Sequence, residues 1–291
     1  VLMVFLQELG MQVAAQSPGH ITGFFVIYPN GSTGAGLNIK DGMKTTVRFH
    51  RGKKDELRMN GKKTKLIVSE KVLGIFRKKT RTPAAQKVKV LHTTKFPIGY
   101  GLGISGAGAL SLCIALNRLF KAGLDKKEIL AIAKQAEIEC GTGLGDVVAE
   151  QFSGVMIGKK PYPSKGIEKI RAKEKFVALG FFNPMSTKKI IRSPSWKRKI
   201  NKTGLACMAA INMEKTMPRF VGLCRKFTGE SGLATPQIKK VMAKVPGASM
   251  SMLGETVFMP DTNPKNALKA LGKYCKRAMV ARIATKGAGL L

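Results

Sequence analysis

The stretch Pro97-Ile98-Gly99-Tyr100-Gly101-Leu102-Gly103-Ile104-Ser105-Gly106-Ala107-Gly108-Ala109-Leu110 decides the fold, and it runs directly into the apolar residues 111–120. Five glycines lie between positions 99 and 108. Glycine lacks the Cβ atom that would keep backbone N–H groups away from an anion, and the first turn of a following helix adds unpaired donors and the positive end of its dipole. The stretch therefore predicts a phosphate-binding loop at a helix N-terminus, with a tight helix entry as the alternative.

Two other nucleotide-binding loops do not fit this stretch. No Gly-Lys-Ser or Gly-Lys-Thr follows the glycines, so the loop is not a Walker A motif. It also lacks the setting of the dinucleotide motif, in which the glycines follow a short strand and an acid lies downstream.

The composition is that of a globular protein. The 291 residues are 44% hydrophobic, which excludes a disordered linker and allows one large or two medium domains. No apolar run approaches the roughly 18 to 20 residues of a membrane span, and residues 1–6 are too short for a signal peptide. The five cysteines are widely spaced and form no Cys-x-x-Cys pair, which indicates reduced thiols in a cytoplasmic protein.

The net charge of +34 is distributed unevenly. Residues 151–202 contain fourteen basic side chains and two acidic ones, whereas residues 101–150 contain five basic and six acidic ones. Acids are thus concentrated behind the glycine loop, which favours chemistry that needs carboxylates beside bound phosphate. A positive surplus attracts nucleic acids as well as small anions, but the basic stretches lack the interleaved aromatic residues that stack on bases.

The segment before the loop predicts strands followed by a helix. A short strand over residues 12–15 is expected to end in the Pro- and Gly-containing turn at residues 17–22. The further predictions are a glycine-rich turn at 30–36, strands at 45–50, 65–68 and 87–91, and a helix at 70–79.

The segment after the loop predicts two helices. The apolar residues 106–121 predict a buried helix that ends at Gly123. Asp125, with Glu128 three residues later, predicts a capping box that starts a second helix, which runs to about Cys140.

Three acids follow within a short distance. Glu137 and Glu139 lie near the C-terminal end of the second helix, where the dipole disfavours carboxylates, so we expect a compensating cation. Residues two apart do not share a helix face, so we expect only one of the two to point at the site. Asp146 ends the tight loop Gly141-Thr142-Gly143-Leu144-Gly145 and is either a helix N-cap or a catalytic acid.

The second half predicts an α+β arrangement. Residues 159–175, rich in Lys and Pro, predict a surface connection at a domain boundary. The expected elements are strands at 154–157, 176–182, within 248–259 and at 279–284, and helices from 186, over 205–227, from 235 and from 263.

Three stretches together resemble the GHMP kinase superfamily, which includes galactokinase, homoserine kinase and mevalonate kinase. Residues 97–110 resemble its phosphate loop, Pro-x-x-x-Gly-Leu-Gly-Ser-Ser-Ala-Ala. Residues 17–25 (Ser-Pro-Gly-His-Ile-Thr-Gly-Phe-Phe) lie where the superfamily has its first motif, and residues 249–256 (Ser-Met-Ser-Met-Leu-Gly-Glu-Thr) lie where it has its third. With Gly-Thr-Gly-Leu-Gly-Asp at residues 141–146, they are similar to the archaeal members that phosphorylate pantoate.

This resemblance implies the GHMP kinase two-domain α+β fold. We expect a ribosomal protein S5 domain 2-like N-terminal domain that binds ATP over residues 1–170 and a ferredoxin-like C-terminal domain over residues 171–291. The implied activity is ATP- and Mg²⁺-dependent phosphorylation of (R)-pantoate to (R)-4-phosphopantoate, on the archaeal route to coenzyme A. The family also implies a cytoplasmic homodimer with no membrane partner.

The resemblance assigns roles by position. Asp146 is the expected general base, and Ser105 and Glu137 are the expected Mg²⁺ ligands, with Glu139 as the fallback for Glu137. His20 stands where mevalonate kinase has a Lys, so we expect it to contact pantoate. The expected nucleotide-binding residues are Gly99, Gly101, Leu102, Gly103, Ile104, Ser105, Gly106 and Ala107, and the expected substrate-binding residues are Ser17, Gly19, His20 and Thr22.

Two alternative functions stay open. One is a GHMP kinase for another hydroxy compound, such as mevalonate or homoserine. The other is a basic nucleic-acid-binding protein, because the N-terminal domain of the superfamily also resembles a domain of a ribosomal protein. The chain departs from the superfamily at Ile104, which replaces the first loop Ser, and at residues 285–289, which have Gly where an Arg is expected.

Overall fold

Two long antiparallel strands, β1 (Gln12–Tyr28) and β2 (Gly31–Phe49), form the hairpin on which the fold is built. The computed structural model describes residues 11–29, 31–162, 166–275 and 277–291. The apolar residues 1–6 and the first residue of the turn predicted at 30–36 therefore lie outside the described residues.

The predicted strand end at residues 17–22 and the turn predicted over the described residues 31–36 are both wrong. Register shifts between Ser17 and Gly19 and between Thr22 and Phe24 let β1 continue past its proline, which has no N–H for the ladder. The β2 glycines mark close packing. A Cβ atom on Gly36 would lie 2.6 Å from Nε2 of His20.

The hairpin lies within a sheet of eight strands among the described residues. Its other strands are β3 (Glu56–Met59), β4 (Lys62–Lys63), β5 (Val88–Thr93), β6 (Val155–Gly158), β7 (Ile167–Lys169) and β12 (Gly289–Leu290). The strand order is β12-β1-β2-β5-β3-β4; β6 also pairs with β2, and β7 pairs with β6. The predicted strands at 45–50, 87–91 and 154–157 are confirmed.

Four helices follow in this half: α1 (Ile67–Thr80), α2 (Ile104–Leu119), α3 (Lys126–Cys140) and α4 (Asp146–Ala149). Helix α2 is buried at 12 of its 16 positions, which confirms the predicted core helix. The capping box of Asp125 and Glu128 is also confirmed. The strand predicted at 65–68 is wrong, because α1 begins there without a side-chain cap that would mark its start.

The second sheet is antiparallel, and its strands are β8 (Phe176–Phe181), β9 (Ser249–Ser251), β10 (Thr256–Asp261) and β11 (Arg277–Arg282). The helices of this half are α5 (Thr187–Ile191), α6 (Pro194–Met213), α7 (Met217–Glu230), α8 (Pro236–Lys244) and α9 (Pro264–Gly272). The strand order in the sheet is β11-β8-β10-β9. Along the chain, the elements follow as strand, helices, strand, strand, helix and strand, which is the expected ferredoxin-like topology.

The single helix predicted over 205–227 is wrong. Thr216 ends an extended break and caps α7 by accepting from the N–H of Arg219, and Pro218 occupies the first turn. The helices predicted from 186, 235 and 263 are confirmed.

One hydrophobic core joins the hairpin to the second sheet. Phe24 on β1 lies 6.2 Å from Phe220 on α7 between ring centroids, and Phe220 lies 6.3 Å from Phe258 on β10. Because the core is shared, the domain division at residue 170 stays a prediction. No helix of the described segments is long and apolar enough to cross a membrane, and all five cysteines are unpaired, as expected.

The glycine loop is clamped between β1 and the turn that joins β9 to β10. The carbonyl groups of three successive loop residues accept hydrogen bonds: Tyr100 from Thr256 Oγ1 at 2.7 Å, Gly101 from Ser251 Oγ at 2.5 Å and Leu102 from the N–H of His20 at 2.8 Å. The loop and the turn between β9 and β10 approach so closely that a Cβ atom on Gly254 would overlap the backbone of Tyr100 and Gly101. The first and third sequence motifs therefore hold the loop from two sides.

We predict that Gly254→Ala lowers the free energy of unfolding by about 1 to 3 kcal/mol, since the added methyl group meets backbone that cannot rotate away. Gly222→Ala is the matched control: Gly222 lies in α7 with no atom within 4 Å of an added Cβ, and the substitution is expected to stabilise the protein by up to about 1 kcal/mol. Urea unfolding of both variants measures the difference, and equal stabilities would contradict the close approach.

A buried polar network lies on the other side of α2. His92 is 1% exposed, and its two ring nitrogens contact Thr45 Oγ1 at 2.8 Å and Ser69 Oγ at 2.9 Å. Thr45 also contacts Ser111 Oγ at 2.6 Å, which ties β2, β5, α1 and α2 together. Burial lowers the pKa of His92 to about 4.

We predict that this histidine makes the protein sensitive to acid. The buried imidazole of His92 is neutral in the folded protein. The protein therefore keeps its full free energy of unfolding above pH 6.5, the pKa of His92 in the unfolded chain, and loses part of it as the pH falls towards about 4. Between about pH 7 and about pH 4, the free energy of unfolding should fall by about 3 kcal/mol more in the unsubstituted protein than in His92→Gln, which cannot titrate. Urea titrations at both pH values test this, and parallel pH dependences would contradict it.

Candidate active site

A cavity opens at the N-terminus of α2, and the glycine loop forms one of its walls. Among the expected residues, Gly99, Gly101, Leu102, Gly103, Ile104 and Ser105 line it. Opposite them lie Thr22 from β1 and the loop of residues 142–146 before α4. Met252 and Leu253 of the third motif close one side.

The backbone donors of this loop have no protein partner. Gly99, Gly101 and Gly103 have φ values of 84°, 73° and 64°, which turn the chain into the helix in the left-handed region that favours glycine. The first intrahelical bond runs from the N–H of Ala107 to the carbonyl of Gly103, at 2.9 Å. Within the described segments, the N–H groups at positions 101–106 donate to no protein acceptor. Together with the α2 dipole, they form a site for an anion.

Glu137 joins the end of α3 to the start of α2. Its Oε1 accepts hydrogen bonds from Ser105 Oγ at 2.6 Å and from Thr142 Oγ1 at 2.8 Å. The carboxyl group is 2% exposed, and burial, together with the charge of Asp146, raises its pKa to about 7 against the opposing effect of the two hydrogen bonds. Its Oε2 is buried and has no partner among the described residues.

Asp146 begins α4 and faces the same space. Its Oδ1 accepts a hydrogen bond from Thr22 Oγ1 at 3.3 Å. Burial raises its pKa, while His20 and the Thr22 hydrogen bond act in the opposite direction. It lies at the first helical position behind Gly145, so its side chain is not the cap.

Gly143 lies close to one carboxyl oxygen each of Glu137 and Asp146. A Cβ atom there would lie 2.5 Å from Oε2 of Glu137 and 3.9 Å from Oδ2 of Asp146, so glycine leaves a small oxygen-lined space between them. The unpartnered Glu137 oxygen and the neighbouring Ser105 hydroxyl fit Mg²⁺, which is commonly held by one or two carboxylates together with substrate phosphates. In the described part of the chain, no group of three or more His, Cys, Asp and Glu side chains is arranged to hold a metal ion by itself.

A second cavity adjoins the first behind Asp146. Thr22, Ser32 and Asp146 line both cavities, so Asp146 stands at the boundary between them. The second cavity is also lined by His20, by Lys160 and by a mainly apolar group, Phe25, Val148, Met156 and Ile167.

The tautomer of His20 follows from its neighbour. The amide nitrogen of Asn38 donates to the carbonyl groups of Ala149 and Phe152, both at 2.8 Å, so its Oδ1 must face His20. His20 Nδ1 lies 2.7 Å from that oxygen and is therefore the donor. In the neutral ring, Nε2 is then an acceptor.

Not every expected residue reaches the site. Ser17 lines a different cavity and donates to the carbonyl of Pro18. Gly19 packs beneath the loop, where a Cβ atom would lie 2.8 Å from the Leu102 carbonyl oxygen. Gly106 and Ala107 are buried inside α2. Glu139 points away and pairs with Lys71 at 3.0 Å.

The cation expected at the end of α3 is Lys71, which pairs with Glu139, whereas Glu137 is held by the hydroxyl groups of Ser105 and Thr142. Arg192 also lies near this helix end, where its Nη2 would be 3.2 Å from a Cβ atom on the C-cap residue Gly141. Sequence reasoning missed Thr142, Lys160 and Glu150. Glu150 is fully buried behind the loop. The sequence feature that could have indicated it is its position four residues after Asp146, on the same helix face, in a chain with few acids.

Comparisons with known proteins identify the family of the chain. The family profile described as GHMP kinases N terminal domain matches residues 67–154. A pantoate kinase from Methanocaldococcus jannaschii is 34% identical over 252 residues, covering 83% of this chain and 90% of the relative. A pantoate kinase from Methanospirillum hungatei is 28% identical, covering 91% of this chain and 93% of the relative.

Structure comparison gives the same fold. A solved structure described as a phosphotransferase related to the CoA biosynthesis pathway superposes with a TM-score of 0.83 at 24% identity, covering 97% of this chain and 99% of that one. With the match to the M. jannaschii relative over most of both sequences, the chain belongs to the pantoate kinase family of the GHMP kinases.

Proposed function

We propose that this protein transfers the γ-phosphoryl group of ATP to the terminal hydroxyl group of pantoate, as a step in coenzyme A biosynthesis. The observation that carries the proposal is the position of Asp146 at the boundary of two adjoining cavities. One cavity has the free N–H groups that a nucleotide phosphate needs, and the other has the chemistry of the acceptor. Phosphoryl transfer requires the two substrates to meet in this way.

In this proposal, the α2 N-terminus binds the phosphates of ATP. The N–H groups at positions 101–105, whose residues line the cavity, donate to the phosphate oxygens, and the helix dipole favours their negative charge. Ser105 and Glu137 hold Mg²⁺ through the Ser105 hydroxyl and the unpartnered Glu137 oxygen. When bound, Mg²⁺ neutralises charge that develops on the transferring phosphoryl group.

Asp146 accepts the proton of the attacking hydroxyl group. Its hydrogen bond to Thr22 orients the carboxylate, and its raised pKa brings it closer to neutral pH, which suits a general base. His20 lines the second cavity, where its ring fits a hydrogen bond with a hydroxyl group of the substrate.

The second cavity matches the three chemical parts of pantoate. Pantoate has a carboxylate, two hydroxyl groups and a pair of methyl groups. Lys160 supplies a cation for the carboxylate, and Phe25 with Met156 supplies an apolar wall for the methyl groups. Asp146 is the one acid among the described lining residues, and the proposal already uses it as the base, so the cavity offers little to the ammonium group of homoserine.

We also propose that the protein is a homodimer, is located in the cytoplasm and comes from an archaeon. Family membership is the support for these three properties. The family also supports ATP as the phosphoryl donor.

We predict that Asp146→Asn lowers kcat by about a hundredfold or more, because a general base commonly contributes that much. Binding of Mg²⁺-ATP should persist, since the loop donors stay in place. Glu139→Gln is the control, because this acid is exposed and pairs with Lys71 outside the site. Coupled release of ADP with pantoate, mevalonate and homoserine as acceptors measures both variants. Full turnover by Asp146→Asn, or equal rates with mevalonate, would contradict the proposal.

We predict that Lys160→Ala raises the KM for pantoate about tenfold with a smaller change in the KM for ATP, because one cation near a carboxylate is worth about this factor. Lys169→Ala is the matched control. Lys169 is an exposed lysine on β7 that does not line the cavity. A rise in KM that is the same in both variants would indicate only a loss of overall positive charge.

A further inference from the structure

Glu150 is a carboxyl group buried directly behind the phosphate loop. It is 0% exposed, and neither carboxyl oxygen has a hydrogen-bond partner among the described residues. A buried polar group without a partner costs about 1 to 3 kcal/mol of stability. Glu150 therefore weakens the fold at this position, and a contribution to stability does not account for it.

The carboxyl group touches the loop at its two closest glycines. A Cβ atom on Gly103 would lie 2.7 Å from Oε1, and one on Gly106 would lie 3.2 Å from Oε2. The superfamily loop quoted above has Ala where this chain has Gly106. Glu150 thus fills space that side chains on the loop would otherwise occupy.

The same residue is tied to the catalytic acid. Its backbone N–H donates to the carbonyl of Asp146 at 2.9 Å, so the two belong to one helical turn. A shift of Glu150 relative to the loop would therefore move Asp146 relative to the bound phosphates.

The charges around Glu150 favour its protonated form. Asp146 on α4, Glu137 on α3 and His20 on β1 are the ionisable groups nearest to it. Burial raises the pKa of Glu150 well above its usual range, and the charges of Asp146 and Glu137 raise it further. An ionised carboxylate here would also compete with the phosphates for the positive end of α2.

We propose that Glu150 is a positioning residue for nucleotide binding, whose carboxyl group packs against Gly103 and Gly106 and sets the spacing between the loop and the turn of Asp146. The inference rests on the proposed function only for the identity of the nucleotide. It assigns volume and shape, not charge, as the property that matters.

The test compares Glu150→Gln with Glu150→Ala. The neutral isostere should bind Mg²⁺ with β,γ-methylene-ATP within about threefold of the unsubstituted protein, whereas the truncation should raise the Kd about tenfold or more. Thermal unfolding should show no loss of stability in either variant. Glu174→Gln is the control, since this acid precedes β8 at the end far from the loop, and its Oε2 is also unpartnered.

A double variant tests the contact itself. Gly106→Ala alone should weaken nucleotide binding, because the added Cβ atom lies 3.2 Å from both the Glu150 carboxyl and Val147 Cγ2. In the Glu150→Ala background, the methyl group can move into the vacated space and should recover part of the lost affinity. Two independent losses that simply add would overturn the proposal.

Other outcomes decide between the two proposals. Calorimetric titration with the ATP analogue measures nucleotide binding without an acceptor substrate. If the protein bound the analogue but did not phosphorylate pantoate, the proposed function would be wrong, while the effect of Glu150 on nucleotide binding could still be measured. An unchanged Kd in Glu150→Ala would overturn the positioning role. A Glu150→Gln variant as impaired as Glu150→Ala would also overturn it, since the charge would then be required.

Discussion

The site depends on one constraint: the carbonyl groups of residues 99–103 all accept hydrogen bonds from protein donors, which leaves the N–H groups of the loop as its free donors. The hydroxyl groups of Ser251 and Thr256 and the N–H of His20 hold three successive carbonyl oxygens. A flexible glycine loop would lose this orientation and would pay ordering entropy when an anion arrives. Because β1 and the β9–β10 turn fix the loop in advance, its donors are already arranged for a phosphate.

The net charge of the whole chain and the charge of the groups at the site have opposite signs. The chain carries a net charge of +34, yet three acids, Glu137, Asp146 and Glu150, lie together behind the loop. A positive surface draws two anionic substrates towards the protein from a distance. The charge of Asp146 helps to raise the pKa values of the buried Glu137 and Glu150, and a bound cation would relieve that repulsion. Long-range attraction and local chemistry therefore use opposite charges.

Local sequence signals predicted the elements that carry their own caps. The helix after Asp125 and the helices after Thr235 and Asn263 begin where a capping side chain and a proline or an acid mark the start. The hairpin was missed because Pro18 and the β2 glycines are local turn signals that strand pairing overrides. Of the site, the resemblance supplied Ser105, Asp146 and, with Glu139 as the fallback, Glu137. Helix geometry alone predicted only that one of the two glutamates points at the site, because which of them is buried depends on how α3 packs against α2.

The shared aromatic core also limits how this fold can be divided. Phe24 comes from the first strand of the chain, while Phe220 and Phe258 come from the second half. A cut near residue 170 would separate these rings and expose apolar surface on both pieces. Exchanging one half with the equivalent half of a relative would therefore require the chimera to carry matching aromatic partners on β1.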